Sequence, residues 1–442
     1  MNAAKKPKAE GTRPGLAQSI RRDEHAPFRY WLIAALFAGG MLRPVQSGAQ
    51  MITLDSLLAL VDAQNPMLQE YDSKVKALNE YAAGASSWMA PMVGAGPYMT
   101  PYPNSAVMEE RDKGSVMFSV EQNIPNPAKL KASKRYLESK ADVEEQGRAF
   151  QYNALRAEAR TYYYQWLVEE RKLKVLSENE RIMNLMLKLA RIRYPYNQGT
   201  LGNIYKAEGR LSEVRNMLLM TRSEIQGLSY RLKSLANIPA SDSIMIDTTT
   251  VVHVAPVSLP SDTAALANRR SDVKQIENTI QAMRLNQQVQ KFQAKPDFRI
   301  RFDHMQPIGN MPSQFSAMAM VSIPIAPWSS KMYRAEVKGM DYEIEAMRKG
   351  REAILLETKG MLTSMDARIR GMKQQLENYR GKIIPALQKN YQTLMLAYEE
   401  NREQLPIVID GWEALNMAQM EYLDKLQEYY LMIVSYEKEI EE

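Results

Sequence analysis

Hydrophobic and polar positions along this chain follow two rhythms. Over 296–305 (PDFRIRFDHM) the period is two: Phe298, Ile300 and Phe302 share one side, and Arg299, Arg301 and Asp303 the other. Such alternation predicts a strand with one apolar and one charged face. Residues 315–325 continue it, with Phe315, Ala317, Ala319, Val321 and Ile323 opposing Ser316, Met318, Met320 and Ser322. Earlier, Val116, Phe118 and Val120 oppose Met117, Ser119 and Glu121, and 90–102 is a weaker strand rich in Gly and Pro. Around these strands the pattern is helical. Helices of about thirty residues are predicted over 53–87 and 262–294, with Thr53 and Ser261 or Asp262 as N-caps. Very long helical stretches follow over 128–194 and 329–401, each succeeded by a turn and a returning helix. Seventy helical residues span on the order of 100 Å, which indicates a coiled coil or helical array. Pro195 and Pro385 are predicted to end or kink these helices.

The same order occurs twice. Pro66, Leu68, Ala77 and Pro91 correspond to Ser271, Val273, Ala282 and Pro296 at an offset of 205. Tyr194, Asn197, Leu201 and Leu211 correspond to Tyr398, Asn401, Leu405 and Leu415 at an offset of 204. We read a first repeat over 50–237 with a hairpin at about 89–124, and a second over 262–442 with a hairpin at about 296–326. A Pro/Ser/Thr/Asp-rich linker, 238–261, joins them. Proline marks each hairpin exit, at Pro125 and Pro127 and again at Pro324 and Pro327, where it ends a ladder and suits a helix start.

Each strand is about ten residues long, enough to cross a bilayer at a tilt. Four strands cannot close a barrel, and open edges are not tolerated in lipid. Two readings follow: ordinary hairpins in water, or strands pooled by several chains, three protomers supplying twelve.

Composition sharpens this picture. The chain has 442 residues, no cysteine, and histidine only at 25, 253 and 304. That excludes disulfides, iron–sulfur clusters and Cys-based zinc sites, and no HExxH pair is present. No GxSxG, P-loop or dinucleotide fingerprint appears, so we expect no enzyme, no cofactor and no metal centre. The net charge of +6 invites a nucleic-acid reading. The N-terminus removes it. Basic residues over 1–29, an apolar run over 30–42 and Ser47-Gly48-Ala49 form the pattern of a secretory leader, 1–49. Removing its eight basic and three acidic residues leaves 49 basic against 48 acidic. The mature chain would start at Gln50, which excludes a lipid anchor on a cysteine at this cleavage site.

The chain resembles the TolC-like outer-membrane efflux proteins. The duplicated order carries the match, with Ala267-Asn268-Arg269, the strand exits IPNPAKLKASK (from Ile124) and IPIAPWSSKMYRAE (from Ile323), and the turns RYPYNQGTLGNIYKAEGRL (from Arg193) and AYEENREQLPIVIDGWEALNMAQ (from Ala397). The resemblance implies a mainly α fold with a small β part. Duplicated long coiled-coil helices would form an α-barrel, and four transmembrane strands per protomer would close a 12-stranded barrel as a homotrimer. It implies an outer-membrane exit duct of a Gram-negative bacterium with its helices in the periplasm. Its partners would be outer-membrane lipid, a periplasmic adaptor and an inner-membrane pump of resistance-nodulation-division or ABC type; no nucleic acid is implied. Small molecules or metal ions would pass.

The resemblance also assigns a tip. Asn197, Gly199 and Leu201 form one turn there, and Asn401, Leu405 and Asp410 the other. Asp410 matches the family's constricting aspartate, Ile407 stands where a second aspartate often precedes it, and Lys206 occupies the equivalent position in the first repeat. Asp410 equally fits a solvated aspartate favoured by a helix N-terminus. Gly199 is expected to supply positive φ to its turn. Met117, Glu121, Arg299, Arg301, Asp303, Met318 and Met320 would face the lumen. Their thioethers suit Cu(I), or serve as flexible filler. Trp88, Tyr98, Tyr102 and Trp328 read as interfacial girdles or as junction contacts; Tyr162, Tyr163, Tyr164 and Trp166 read as helix–helix contacts. Two alternatives stand beside the efflux duct: a type I secretion duct, and a periplasmic coiled-coil scaffold with hairpins in water.

Overall fold

The computed structural model describes residues 50–102, 109–248 and 263–441, all within one unit of the chain, Ala49–Glu442. The leader, the caps at Ser261 or Asp262, and 249–261 of the linker lie outside the described residues. The first half runs β1 (Gln50–Ile52), α1 (Leu54–Gln64), α2 (Pro66–Gly84), β2 (Met92–Tyr98), β3 (Ser115–Ile124), α3 (Pro127–Arg193), α4 (Leu201–Leu235) and β4 (Ile244–Ile246). The second runs α5 (Thr263–Arg269), α6 (Ser271–Phe292), β5 (Phe298–Pro307), β6 (Gln314–Val321), α7 (Pro327–Asn378), α8 (Ile384–Glu399) and α9 (Leu405–Ile440). The fold is mainly α with a small β part.

The helices predicted as single rods of about thirty residues are each two. Asn65 separates α1 from α2 at φ −67°, ψ 123°, and its Oδ1 accepts from the Met67 amide at 2.9 Å. Pro66 forces this, because the residue before proline is pushed out of the helical region. Arg270 breaks the second half at φ −68°, ψ 122° with no proline after it. What holds it there is tertiary. The Asn65 amide donates to the Leu235 carbonyl at 2.9 Å, and Arg270 Nη1 donates to the Glu439 carbonyl at 2.9 Å. Thus in each half the break residue covers an exposed carbonyl at the C-terminal end of the returning helix. The guanidinium also pairs with Asp272 and the Glu439 carboxylate, both at 2.7 Å.

Helix α3 has 67 residues and is capped by Asn126, whose Oδ1 accepts from the Ala128 amide at 3.0 Å. Small side chains let α2 and α6 approach it closely. A Cβ at Gly147 would stand 2.9 Å from Gln275 Nε2 and 3.0 Å from the Tyr71 ring. Pro195 does end α3, through one 3-10 turn over Tyr194–Tyr196. Pro385 does not end its helix. A π turn, Tyr379–Ile383, precedes it, with the Ile384 amide bonding Tyr379, so the missing proline amide is absorbed by a wider turn. One core gathers Tyr163, Trp166, Leu167, Leu228, Leu232 and Val434; a second, near the turns, gathers Met183, Met186, Leu211, Leu405, Val408 and Trp412. The crowded aromatics lie in the first, where Tyr164 meets the Tyr430 ring at 5.5 Å.

The two hairpins join into one antiparallel sheet of order β2-β3-β5-β6. β3 and β5 pair from Ser115↔Pro307 to Ile124↔Phe298. β6 stops at Val321, short of the predicted 325: the Ser322 amide bonds Asp297, and Pro324 cannot extend the ladder. Within the predicted linker, β4 pairs in parallel with β1, an element too short for sequence pattern to reveal.

Candidate functional site: the helical turns and the polar face of the sheet

Both turns between long helices pivot on an asparagine. Asn197 has φ 56° and Asn401 φ 58°, at the same offset of 204 that relates the halves. Asparagine tolerates the left-handed region because its short amide bonds locally. The expectation for Gly199 is therefore corrected: it is not among the positive-φ residues, and a Cβ there would meet only Asn203 at 3.8 Å. This also accounts for Glu403 standing at the equivalent place.

The structure brings the two turns together. Arg193 Nη1 donates to the Tyr398 carbonyl at 2.7 Å and Nη2 to the Glu399 carbonyl at 3.0 Å, with the guanidinium 4.1 Å from the Tyr398 ring centre. The end of α3 thus covers the last carbonyls of α8. Burial pushes the Tyr398 phenol above its ordinary value, with Arg193 opposing. Across the turns, Lys206 Nζ meets Asp410 Oδ1 at 2.7 Å and Arg210 meets Glu413 at 2.7 Å. Asp410 is therefore one half of an ion pair with its own counterpart in the other repeat. The pair is largely exposed, so it sets local charge more than stability. Leu405 is 1% exposed and anchors α9, whereas Leu201 is 43% exposed. Deeper in, Trp412 Nε1 donates to Asn179 Oδ1 at 2.9 Å, and Asn179 Nδ2 to Asn416 Oδ1 at 2.7 Å, a buried polar bridge between α3 and α9. Gly411 admits the close approach of α8, since a Cβ would lie 2.6 Å from Leu394 Cδ1. Arg193, Arg210 and Asn179 were not singled out from sequence, because their partners lie some 200 residues away.

The sheet has two unlike faces, fixed by alternation and register. On one lie Val116, Phe118, Val120, Phe298, Ile300, Phe302 and Phe315, with Phe302 and Phe315 stacked at 6.0 Å. These side chains are exposed: Phe118 by 50% and Phe302 by 46%. On the other face lie Met117, Glu121, Arg299, Arg301, Asp303, Met318 and Met320. Arg299 meets Glu121 at 3.0 Å and donates to Asn123 at 2.9 Å; Arg301 meets Asp303 at 2.9 Å, and Asp303 is 4% exposed. Every methionine of the four strands (Met92, Met117, Met305, Met318 and Met320) is on this polar face. Trp88, Tyr102 and Trp328 stand exposed near the strand ends. Among the described residues no three His, Asp or Glu side chains gather as a metal site.

No protein-family model matches the chain, and no curated protein matches it in sequence. Solved structures match its fold. CusC, studied for folding and transmembrane channel formation, superposes with a TM-score of 0.72 at 12% identity, covering 89% of this chain and 93% of that one. The open-state outer-membrane channel MtrE of Neisseria gonorrhoeae gives 0.70 at 12% identity, covering 88% of each. The outer-membrane protein VceC of Vibrio cholerae gives 0.67 at 12%, covering 88% of this chain and 95% of that one.

Proposed function

We propose that this chain, which has the fold of the TolC-like outer-membrane channels, is the outer-membrane exit duct of a tripartite efflux pump. The observation that carries the reading is the sheet. Its apolar face is open to the surroundings while its charged face holds paired carboxylates and guanidiniums. In water that arrangement is costly; in lipid it is the stable one. β2 and β6 are edges, and unpaired edges are not sustained in hydrocarbon. Three protomers close twelve strands and remove every edge. Met117, Glu121, Arg299, Arg301, Asp303, Met318 and Met320 then line the lumen.

The helices extend from the sheet into the periplasm, and the turns at Asn197 and Asn401 form the tip that a periplasmic adaptor grips and an inner-membrane pump drives. Residues 1–49 are the export leader, and 50–237 and 262–442 are the two repeats. Because Lys206 sits on Asp410, the trimeric tip carries three ion pairs and no bare acidic ring. Small molecules or metal ions pass without chemical change. The test is direct: the mature protein is purified in detergent, weighed by light scattering, and inserted into planar bilayers. A trimer with discrete conductance is expected. A monomer that leaves the membrane fraction on carbonate washing refutes the duct and returns the scaffold reading.

A further inference from the structure

Helix α7 begins six residues after β6 ends, at Pro327. Its first turns carry Lys331, Arg334 and Lys338, a spacing that puts all three on one helix face. With Ile325, Pro327 and Ser330 they line a groove of about 480 Å³. All three cations are exposed, and none makes an ion pair among the described residues. Farther along the same helix several cations are matched: Arg348 meets Glu345, Lys349 meets Glu352 and Arg351 meets Glu277. Beside the groove stand apolar side chains open to the surroundings, Ile323, Ile325, Met332 and Trp328, the last 85% exposed. Helix α3 repeats the charge at its own start, three residues beyond β3, with Lys131 and Arg135 exposed and unpaired among the described residues.

We propose that this groove binds an anionic phospholipid of the periplasmic leaflet, its phosphate between Lys331 and Arg334 and its acyl chains against Ile323, Ile325 and Trp328. The inference rests on the reading of the sheet as the membrane-spanning part. Height supports it. At 1.5 Å per residue Lys331 and Arg334 lie roughly 6 and 10 Å below the start of α7; helix side chains lean toward the N-terminus, so the long Arg334 side chain reaches back toward a headgroup layer about 5–8 Å deep. Charge complementarity selects the lipid class. A zwitterionic headgroup brings its own ammonium to the cations, whereas phosphatidylglycerol brings only the negative charge. The exposed tryptophan beside cations is the pairing that interfacial anchors use, an amphipathic ring at the headgroup and long side chains reaching toward phosphate.

Native mass spectrometry of the purified mature protein, offered equal phosphatidylglycerol and phosphatidylcholine, tests this. The wild type is expected to retain phosphatidylglycerol preferentially. The triple variant K331Q/R334Q/K338Q is expected to lose the preference by about fivefold per charge removed. The charge-conserving K331R/R334K/K338R keeps it, and the single exposed change R334Q reports alone if the triple variant does not assemble. A wild type that does not discriminate, or a neutralised variant that still does, overturns the site. Loss of assembly in the neutralised variants without any lipid preference in the wild type gives the groove to a second copy of the chain and also overturns it. Carbonate washing separates this failure from failure of the membrane reading. A wild type that stays in the membrane without lipid preference sinks only the groove, whereas one that washes off sinks both.

Discussion

At the scale of single residues, the turns are decided by backbone conformation and charge. Asn197 at φ 56° predicts that Asn197→Ala costs about 1–2 kcal/mol, while Asn197→Gly is close to neutral. Gly199→Ala is also close to neutral, since neither φ nor space forbids it; thermal unfolding followed by helical signal ranks the three. Lys206→Ala leaves Asp410 uncompensated, so cation permeability relative to anion rises in reversal-potential measurements, and Asp410→Asn moves it the other way. Glu441 gives a pH test. Burial raises its carboxyl above the ordinary value although Ser271 donates to it. The folded state therefore holds that proton more tightly than the unfolded one, and stability falls as pH rises from the ordinary carboxylate value through the raised one. Glu441→Gln keeps the acceptor and is expected to flatten that slope; unchanged melting curves across the window would dismiss the effect. Sequence reached part of this scale. The matched positions 206 and 410 were legible as equivalents, but adjacency is a tertiary fact that an offset cannot supply. The glycine expectation failed because asparagine can hold the same conformation.

Among elements, the informative case is the pair of broken helices. Asn65–Pro66 carries a local breaker and Arg270–Ser271 carries none, so only the first break has a sequence signal. The second is imposed by the end of α9, through contacts spanning about 170 residues. The two should respond differently to mutation. Asn65→Ala removes a cap, worth about 1 kcal/mol. Arg270→Ala strands two mostly buried carboxylates and is expected to cost about 3–5 kcal/mol, with hydrogen exchange accelerating at the C-terminal turns of α9. The strands were more legible because period-two alternation is local. The pairing of β3 with β5, which makes one sheet of two hairpins, was not, since pairing across halves depends on how the helices dock.

For the whole molecule, the exposed apolar face is the deciding feature, and it makes a sharp contrast between faces. In the proposed duct, Phe302→Lys puts a charge where lipid would lie and is expected to cost about 2–4 kcal/mol of membrane stability. Ser119→Lys, on the opposite face beside Asp303, should change little. Outer-membrane yield and the heat-sensitive migration of the expected trimer on gels read both. Equal losses would place both faces in the same medium.

The meeting of Lys206 with Asp410 has a consequence for symmetry. Six unfused half-chains, all alike, would place identical side chains at this contact, and identical charges 2.7 Å apart repel. Joining two halves in one chain frees them to diverge, one becoming cationic and its twin anionic. In the proposed trimer the ring would then repeat every 120° instead of every 60°, with attraction between the unlike halves of each chain. Duplication would there turn a contact that sixfold symmetry disfavours into a fastening that threefold symmetry accommodates.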